Sequence, residues 1–191
     1  MRKVILQIDL SIDGFIADAN GEHKWVTGDA EMNRDASDLL STVDTILLGR
    51  VAYEDFIQFW PTADVSGKTI ESTIAAQVNQ ADKLIFSRTL DQVQWGKWNN
   101  ARLVKDNIAE EITRMKVQPG KHLLLYAGGG IIESFFRLGL IDEYRLRVHP
   151  AVLGSGMPLF KGIKDQLDLK LLQAKPYRNG AVLLQYQSTE A

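Results

Sequence analysis

The feature that most constrains this chain is the repeated change in its apolar pattern between a strand period of two and a helix period of about 3.6. Strand-like and helix-like runs follow one another along most of the sequence. Consecutive parallel strands need a crossover between them, and a helix usually provides it. We therefore predict an α/β fold in which helices flank a mostly parallel central sheet.

The predicted elements follow from this alternation. Strands are expected at 4–10, 45–49 (TILLG), 83–87 (KLIFS), 122–127 (HLLLYA) and 143–149 (EYRLRVH), and helices around 29–42, 70–78, 107–115 and 132–138. Asn107 and Glu110 have the spacing of a capping box. The segments 167–174 and 181–187 flank Asn179 and Gly180, a pair that suits a turn with positive φ, so we predict an antiparallel hairpin there.

Composition excludes several functional classes. The 191 residues suffice for one well-buried domain, and we predict a single domain over 1–191. The chain has no cysteine, which excludes disulfides, thiolate zinc sites and cysteine nucleophiles. His23, His122 and His149 are scattered without metal-site spacing, so we predict no metal. The 22 basic and 24 acidic residues are mixed along the chain, which argues against a nucleic-acid partner.

The first apolar run is interrupted at every second position by Gln7, Asp9, Ser11 and Asp13. A signal peptide needs a continuous apolar core, so this pattern favours a strand and a cytoplasmic protein. No window approaches the roughly 20 apolar residues of a membrane span, and we expect no membrane partner.

Three predicted strands end in residues that suit phosphate binding. Arg50 follows TILLG, Ser87 and Arg88 close KLIFS, and the glycines 128–130 separate HLLLYA from a helix. Carboxyl ends of parallel strands meet at one sheet edge, and helix N-termini with bare backbone bind anions. We therefore predict a site for a ligand with several phosphates. The glycines alone also suit a tight turn with a helix packed close on the sheet.

The segments SIDGFIAD, ILLGRVAYEDF, FWPTAD, KLIFSRTL, LLLYAGGGIIESFF and LIDEYRLRVHPAVLGSGMPLF cover almost the whole chain. In them the sequence resembles the dihydrofolate reductase superfamily, and within it the reductase domain of the bifunctional riboflavin-biosynthesis deaminase-reductase. The last segment is the most specific. Only the reductase half is implied, because the chain has neither the cysteines nor the length for the zinc deaminase half.

The resemblance implies a dihydrofolate reductase-like fold with NADPH lying across the strand ends. The resemblance implies that Gly49 and Arg50 contact the cofactor phosphates, and that Ser87 and Arg88 contact the phosphate that distinguishes NADPH from NADH. It implies that the pyrophosphate is bound by Gly128, Gly129, Gly130, Ile131 and Ile132. Backbone groups near Asp9 and Ile16 would bind the nicotinamide carboxamide. Ala52 stands where the family usually has threonine, so one hydroxyl contact to phosphate is lost.

The substrate side offers acidic and aromatic residues. Asp13, in a SIDG segment that resembles the SLDG motif of riboflavin reductases, is the first candidate proton donor, and Glu31 is the second. Trp25, Asp29 and Phe56 are candidate substrate contacts. The alternatives are an Asp-Gly turn for Asp13, helix-capping and first-turn charges for the other acids, and core packing for the aromatic rings.

We interpret the sequence as an NADPH-dependent reductase of a small molecule. A riboflavin-pathway ribosylamino-pyrimidine is the first substrate class, and a pterin is the second. The alternative from a different class of function is a protein of the same fold that binds a nucleotide without catalysing a reaction. A homodimer is common in the family and is expected here.

Overall fold

The structure is a computed structural model that describes residues 1–126, 128–163 and 166–189. Strands are β1 Val4–Leu10, β2 Phe15–Ala17, β3 Val43–Gly49, β4 Asp82–Phe86, β5 Ala101–Val104, β6 His122–Leu125, β7 Glu143–Val148, β8 Met157–Pro158, β9 Leu169–Pro176 and β10 Val182–Ser188. Helices are α1 Ala30–Ser41, α2 Arg50–Phe59, α3 Ile70–Gln80, α4 Ile108–Val117 and α5 Gly129–Arg137, with a 3₁₀ turn at Trp60–Thr62.

Two compact units make up the chain. The first contains Met1–Lys3 and Ala30–Ala127, and the second contains Val4–Asp29 and Gly128–Ala191. The prediction of one domain over the whole chain stays a prediction. None of the described helices is long and apolar enough to cross a lipid bilayer.

In the first unit four strands lie in the order β5-β4-β3-β6, and each neighbouring pair is parallel. The strands β3 and β6 are almost entirely buried, as expected for parallel strands covered on both faces. Helix α3 begins with a reciprocal capping box between Thr69 and Ser72, which satisfies the first free N–H groups of the helix.

In the second unit the order is β1-β7-β10-β9, and β2 pairs separately with β8. The strands β1 and β7 are parallel, whereas β10 is antiparallel to both β7 and β9. The turn between β9 and β10 contains Gly180 at φ +85°. The predicted α/β class, the mostly parallel sheet and the C-terminal antiparallel hairpin are therefore confirmed.

Two sequence expectations need correction or limitation. The predicted capping box of α4 is wrong, because Asn107 is in the left-handed region at φ 58° and its side chain makes no cap hydrogen bond. An N-cap residue normally has extended backbone, which aims its side chain at the free N–H groups. Ala127, predicted as the last residue of strand 122–127, lies outside the described residues.

Candidate functional site

In the first unit the ends of two neighbouring strands carry the predicted phosphate contacts. Gly49 and Phe86 are register partners at the ends of β3 and β4, so Arg50 and Ser87 follow at the same edge. Arg50 is the first residue of α2, whose N-cap Gly49 has no side chain to cap the helix. The structure therefore brings these two strand ends together, with a helix N-terminus at one of them.

The two arginines at these ends differ in their partners. The Nη1 atom of Arg50 lies 2.7 Å and 3.0 Å from the carboxylate oxygens of Glu54, one turn along the same helix. Arg88 is 83% exposed, and its Nε lies 3.2 Å from the exposed Asp106. An ion pair between exposed side chains is worth little, about 0–1 kcal/mol. Arg88 is thus available to a phosphate. Arg50 would have to bind a phosphate while it stays paired with Glu54, or break that ion pair first.

Ser87 organises the loop after β4. Its hydroxyl oxygen accepts hydrogen bonds from the backbone N–H groups of Thr89 and Leu90, both at 3.2 Å. Its own N–H donates to Val104 O on β5. These bonds hold the backbone of the loop that carries Arg88.

The predicted phosphate cradle at the glycines lies in the second unit. Gly128 is the N-cap of α5, with extended backbone at φ −93°, and it provides no side-chain cap. A Cβ on Gly128 or Gly130 would meet no described atom within 4 Å, so close packing does not explain either glycine. Neither glycine has positive φ. Two bare positions at the start of a helix leave its N–H groups open to an anion.

Gly129 differs from its neighbours. A Cβ there would lie 2.7 Å from Met157 Sδ, so a side chain at this position would have to displace the thioether of β8. That the glycine junction shares one edge with Arg50 and Arg88 stays a prediction. Ile131 is half-buried in the first turn of α5 and Ile132 is fully buried. The Ile132 N–H already donates to Gly128 O at 3.5 Å, and contacts of these two residues with a ligand stay a prediction.

Asp13 holds two loops of the second unit together. Its carboxylate accepts a hydrogen bond from the Ser11 hydroxyl at 2.7 Å and from the N–H groups of Leu153 and Gly154, at 3.1–3.2 Å and 2.7 Å. The bond from Ser11, followed by those from Gly154 and Leu153, lowers the pKa of the carboxyl below its usual value. A carboxylate in this setting is ionised, which suits a loop clamp better than a proton donor. Its catalytic role stays a prediction.

The remaining candidates occupy different settings. Asp29 precedes α1 and Glu31 is in its first turn, where acidic side chains also favour the helix dipole. Phe56 is half-buried on α2 and contacts the rings of Tyr126 and Trp60, at 5.8 Å and 6.0 Å between centroids. Ile16 is buried in β2, so only its backbone could serve a ligand. Their roles in binding or catalysis stay predictions.

A polar cluster in which His149 is fully buried and Asp9 and Arg147 are partly exposed stands at the ends of β1 and β7. Asp9 Oδ1 lies 2.7 Å from His149 Nε2, and Asp9 Oδ2 accepts a 2.6 Å hydrogen bond from Arg147. Burial alone would raise the pKa of Asp9, but the bond from His149 and the charge of Arg147 outweigh it and hold the pKa below its usual value. The indole of Trp25 contacts the His149 ring edge-on, with 5.8 Å between centroids.

Sequence reasoning missed the role of His149 and Arg147. It considered His149 only as a metal ligand, although Asp9 and Trp25 were already candidates. The sequence feature that indicates these residues is the placing of polar side chains at every second position. Arg145, Arg147 and His149 do so along β7 and just beyond it, and Gln7 and Asp9 do so along β1. The observed register pairs Asp9 with Arg147 and Gln7 with Arg145.

Comparison with known proteins finds one family over nearly the full chain. The profile of the RibD C-terminal domain matches residues 2–183. The chain is 37% identical over 185 residues to the uncharacterised protein YyaP of Bacillus subtilis (strain 168), a match that covers 97% of this chain and 94% of that protein.

Solved structures share the fold. A putative riboflavin biosynthesis protein from Shewanella sp. PV-4 superposes with a TM-score of 0.78 at 22% identity, with all of both chains covered. Dihydrofolate reductase from Enterococcus faecalis, complexed with NADP(H) and RAB-propyl, superposes with a TM-score of 0.63 at 12% identity. That match covers 98% of this chain and 97% of the reductase.

Proposed function

This chain belongs to the RibD C-terminal domain family, and we propose that it is an NADPH-dependent reductase of a small heterocyclic substrate. The substrate class that we propose first is a ribosylamino-pyrimidine of the riboflavin pathway, and a pterin is the second. Reduced nicotinamide, when bound, supplies a hydride to a carbon–nitrogen double bond or a carbonyl. The protein binds and orients the reactants and provides the proton.

The observation that carries this proposal is the glycine junction at α5. Gly128 and Gly130 are bare at a helix N-terminus, and neither the dihedral angles nor the packing of the described residues requires glycine there. Approach of a pyrophosphate to the backbone does require it, because a Cβ would fill the space that the phosphate oxygens occupy. Ile131 would offer a further N–H group in the same turn, whereas the N–H of Ile132, the other predicted contact, would have to leave Gly128 O.

Charge and hydroxyl groups support a phosphorylated cofactor. Arg88 is exposed beside Ser87, and a guanidinium forms strong, charge-assisted bonds with phosphate. We assign these two residues to the phosphate that separates NADPH from NADH, and Gly49 and Arg50 to the other phosphates. Backbone groups near Asp9 and Ile16 would hold the carboxamide, while Trp25, Asp29 and Phe56 would contact the substrate.

The proposal is tested first by binding and then by turnover. NADPH should quench or shift tryptophan fluorescence with a micromolar or tighter Kd, and Gly128→Ala should weaken that binding. Loss of NADPH absorbance is then followed with the ribosylamino-pyrimidine phosphate and, separately, with dihydrofolate. Turnover with the first substrate supports the riboflavin-pathway class, and turnover with dihydrofolate supports the pterin class.

Two outcomes would contradict the proposal in different ways. NADPH binding without oxidation by either substrate favours a nucleotide-binding module without turnover. Absence of NADPH binding removes the cofactor assignment altogether.

Sedimentation of the purified protein at several concentrations tests the homodimer, and a monomer at the highest concentration would remove that expectation.

A further inference from the structure

His149 is a fully buried imidazole with one nitrogen fixed by a carboxylate. Its side chain has 0% exposure, and its Nε2 lies 2.7 Å from Asp9 Oδ1. Since the pKa of Asp9 is held below its usual value, this carboxylate is ionised and accepts the bond from Nε2–H. The bond therefore leaves Nδ1 as the nitrogen that exchanges a proton.

The Nδ1 atom has no hydrogen-bond partner among residues 1–126, 128–163 and 166–189. A buried nitrogen without a partner is unusual in a folded protein and is often found where a ligand or a reacting group has a role. Trp25 lies edge-on against the same ring, and its Nε1 likewise has no partner in that part of the chain. Trp25 is only half-buried and lies in the segment between β2 and α1.

Asp9 from β1 joins His149 to a second side chain. Its carboxylate accepts a hydrogen bond from Arg147 of β7 through Oδ2 and contacts His149 through Oδ1. Trp25, from the β2–α1 segment, is uncharged and lies edge-on against the imidazole. The carboxylate that binds both side chains therefore fixes the orientation of the imidazole ring.

We propose that His149, oriented by Asp9, donates the proton that completes reduction of the substrate. This inference rests on the proposed reductase function. Reduction of a carbon–nitrogen double bond adds a hydride to carbon, which reduced nicotinamide supplies, and a proton to nitrogen. The Nδ1–H bond of the imidazolium breaks as the new N–H bond forms. The neutral imidazole that remains keeps its Nε2–H on Asp9 and takes up a proton from solvent afterwards.

His149 fits this role better than Asp13. The Asp13 carboxylate already accepts three protein hydrogen bonds and is ionised, so it has no proton to give near neutral pH. An imidazole can release a proton from one nitrogen while the other stays bonded to a carboxylate, which is the arrangement of an oriented general acid.

The test compares His149→Gln with His23→Gln. Glutamine places its amide nitrogen near the position of Nε2, so it can still donate to Asp9 but cannot transfer a proton. His23 is exposed, and its replacement controls for loss of any histidine. We expect His149→Gln to lower kcat by roughly 100-fold or more, with NADPH affinity within about threefold. His23→Gln should behave as wild type in both kcat and NADPH affinity.

A second readout is independent of turnover. Two-bond proton–nitrogen NMR spectra resolve the imidazole nitrogens of the three histidines, and the signals that His149→Gln removes belong to His149. In the neutral ring Nε2 should carry the proton and Nδ1 should not, because Nε2 donates to Asp9. A proton on Nδ1 of the neutral ring, or a kcat of His149→Gln within a few-fold of the wild type, overturns the inference. If the wild type reduces neither substrate, the proposed function has failed, and the NMR spectra alone decide whether Nδ1 is the nitrogen that can exchange a proton.

Discussion

The thioether of Met157 occupies the space that a side chain at Gly129 would need, since a Cβ there would lie 2.7 Å from Sδ. This packing gives Gly129 a role that does not involve a ligand. It also means that loss of NADPH binding on substitution of Gly129 would not by itself identify a pyrophosphate contact.

We predict that Gly129→Ala destabilises the protein and that Met157→Ala relieves part of this effect in the double variant. Overpacking costs about 1–3 kcal/mol, although the flexible thioether can move and reduce this cost. The measurement is urea unfolding of the two single variants and the double variant, from which a coupling free energy follows. If the double variant recovers stability but not NADPH binding, Gly129 also faces the cofactor. Additive free energies would contradict the assigned contact.

Gly130 allows a cleaner test, because stability and binding should change in opposite directions. It lies in the first turn of α5, and a Cβ there meets no described atom within 4 Å. Alanine in a helix is more stable than glycine by about 0.5–1 kcal/mol. Gly130→Ala should therefore stabilise the fold in urea and at the same time weaken NADPH binding. A stabilised variant with unchanged NADPH affinity would exclude Gly130 from the cofactor site.

Arg88 is expected to select NADPH over NADH. Hydrogen bonds to charged groups contribute about 1.5–3 kcal/mol, or roughly 10- to 150-fold in affinity. Arg88→Ala should weaken NADPH binding by that factor and leave NADH binding nearly unchanged, as measured by tryptophan fluorescence. Arg114→Ala is the matched control, because Arg114 is an exposed arginine that pairs with Glu111 on α4. Equal weakening of both cofactors by Arg88→Ala would contradict the assignment.

Asp13→Asn should lower turnover at least tenfold, about 1.4 kcal/mol of barrier, with NADPH binding within a few-fold. The physical reason is that an amide cannot accept all the hydrogen bonds that the carboxylate accepts from Ser11, Leu153 and Gly154. The control is Asp18→Asn, because the Asp18 carboxylate similarly accepts from the N–H groups of Asn20 and Glu22.

The pH dependence of the wild type separates the two roles of Asp13. The pKa of Asp13 is lowered from 3.8, so a clamp that needs the ionised form persists at neutral pH and is lost only as the pH falls below about 4. A proton donor needs the protonated form, so its activity would rise continuously toward acidic pH. Equal turnover in wild type and Asp13→Asn would remove Asp13 from the mechanism in either role.

Periodicity predicted most of the long elements of this fold, because their apolar faces are repeated over many residues, but it did not predict the ten-residue helix α2. The predicted first strand coincides with β1, and the predicted helix at 29–42 differs from α1 by one residue at each end. The strands β2, β5 and β8 have only two to four residues and were not predicted. Elements this short are set by their pairing partners, which one sequence does not reveal.

The same limit applies to the candidate site. Strand-end arginines and glycines were visible because each lies next to its own strand in the sequence. The contact of Asp9 with His149 joins residues 140 positions apart, and it depends on the parallel register of β1 and β7. Alternating polar residues indicated that each strand has a polar face. They did not indicate that the two faces meet.

The last prediction concerns Lys83, which is 1% exposed in β4 and whose ammonium group donates to Asn79 O and Ala81 O at 2.8 Å and 2.6 Å. Burial lowers the pKa of Lys83 to about 7. Between that value and the usual lysine pKa of 10.5, the unfolded chain binds more protons than the folded one, so the free energy of unfolding should rise with pH over this range.

The slope from this one group approaches about 1.4 kcal/mol per pH unit if the full shift is present. It will be smaller to the extent that the carbonyl acceptors favour the ammonium form. Lys83→Met should remove this slope and should also destabilise the protein, because each of the two carbonyls loses one donor and keeps Asn100 Nδ2, at 2.8 Å and 2.9 Å. Urea unfolding from pH 7 to 10 measures both effects. Lys105→Met is the control, since Lys105 is about half-exposed and its substitution should leave the slope unchanged. A wild-type stability that does not change over this pH range would show that Lys83 remains charged in the folded protein.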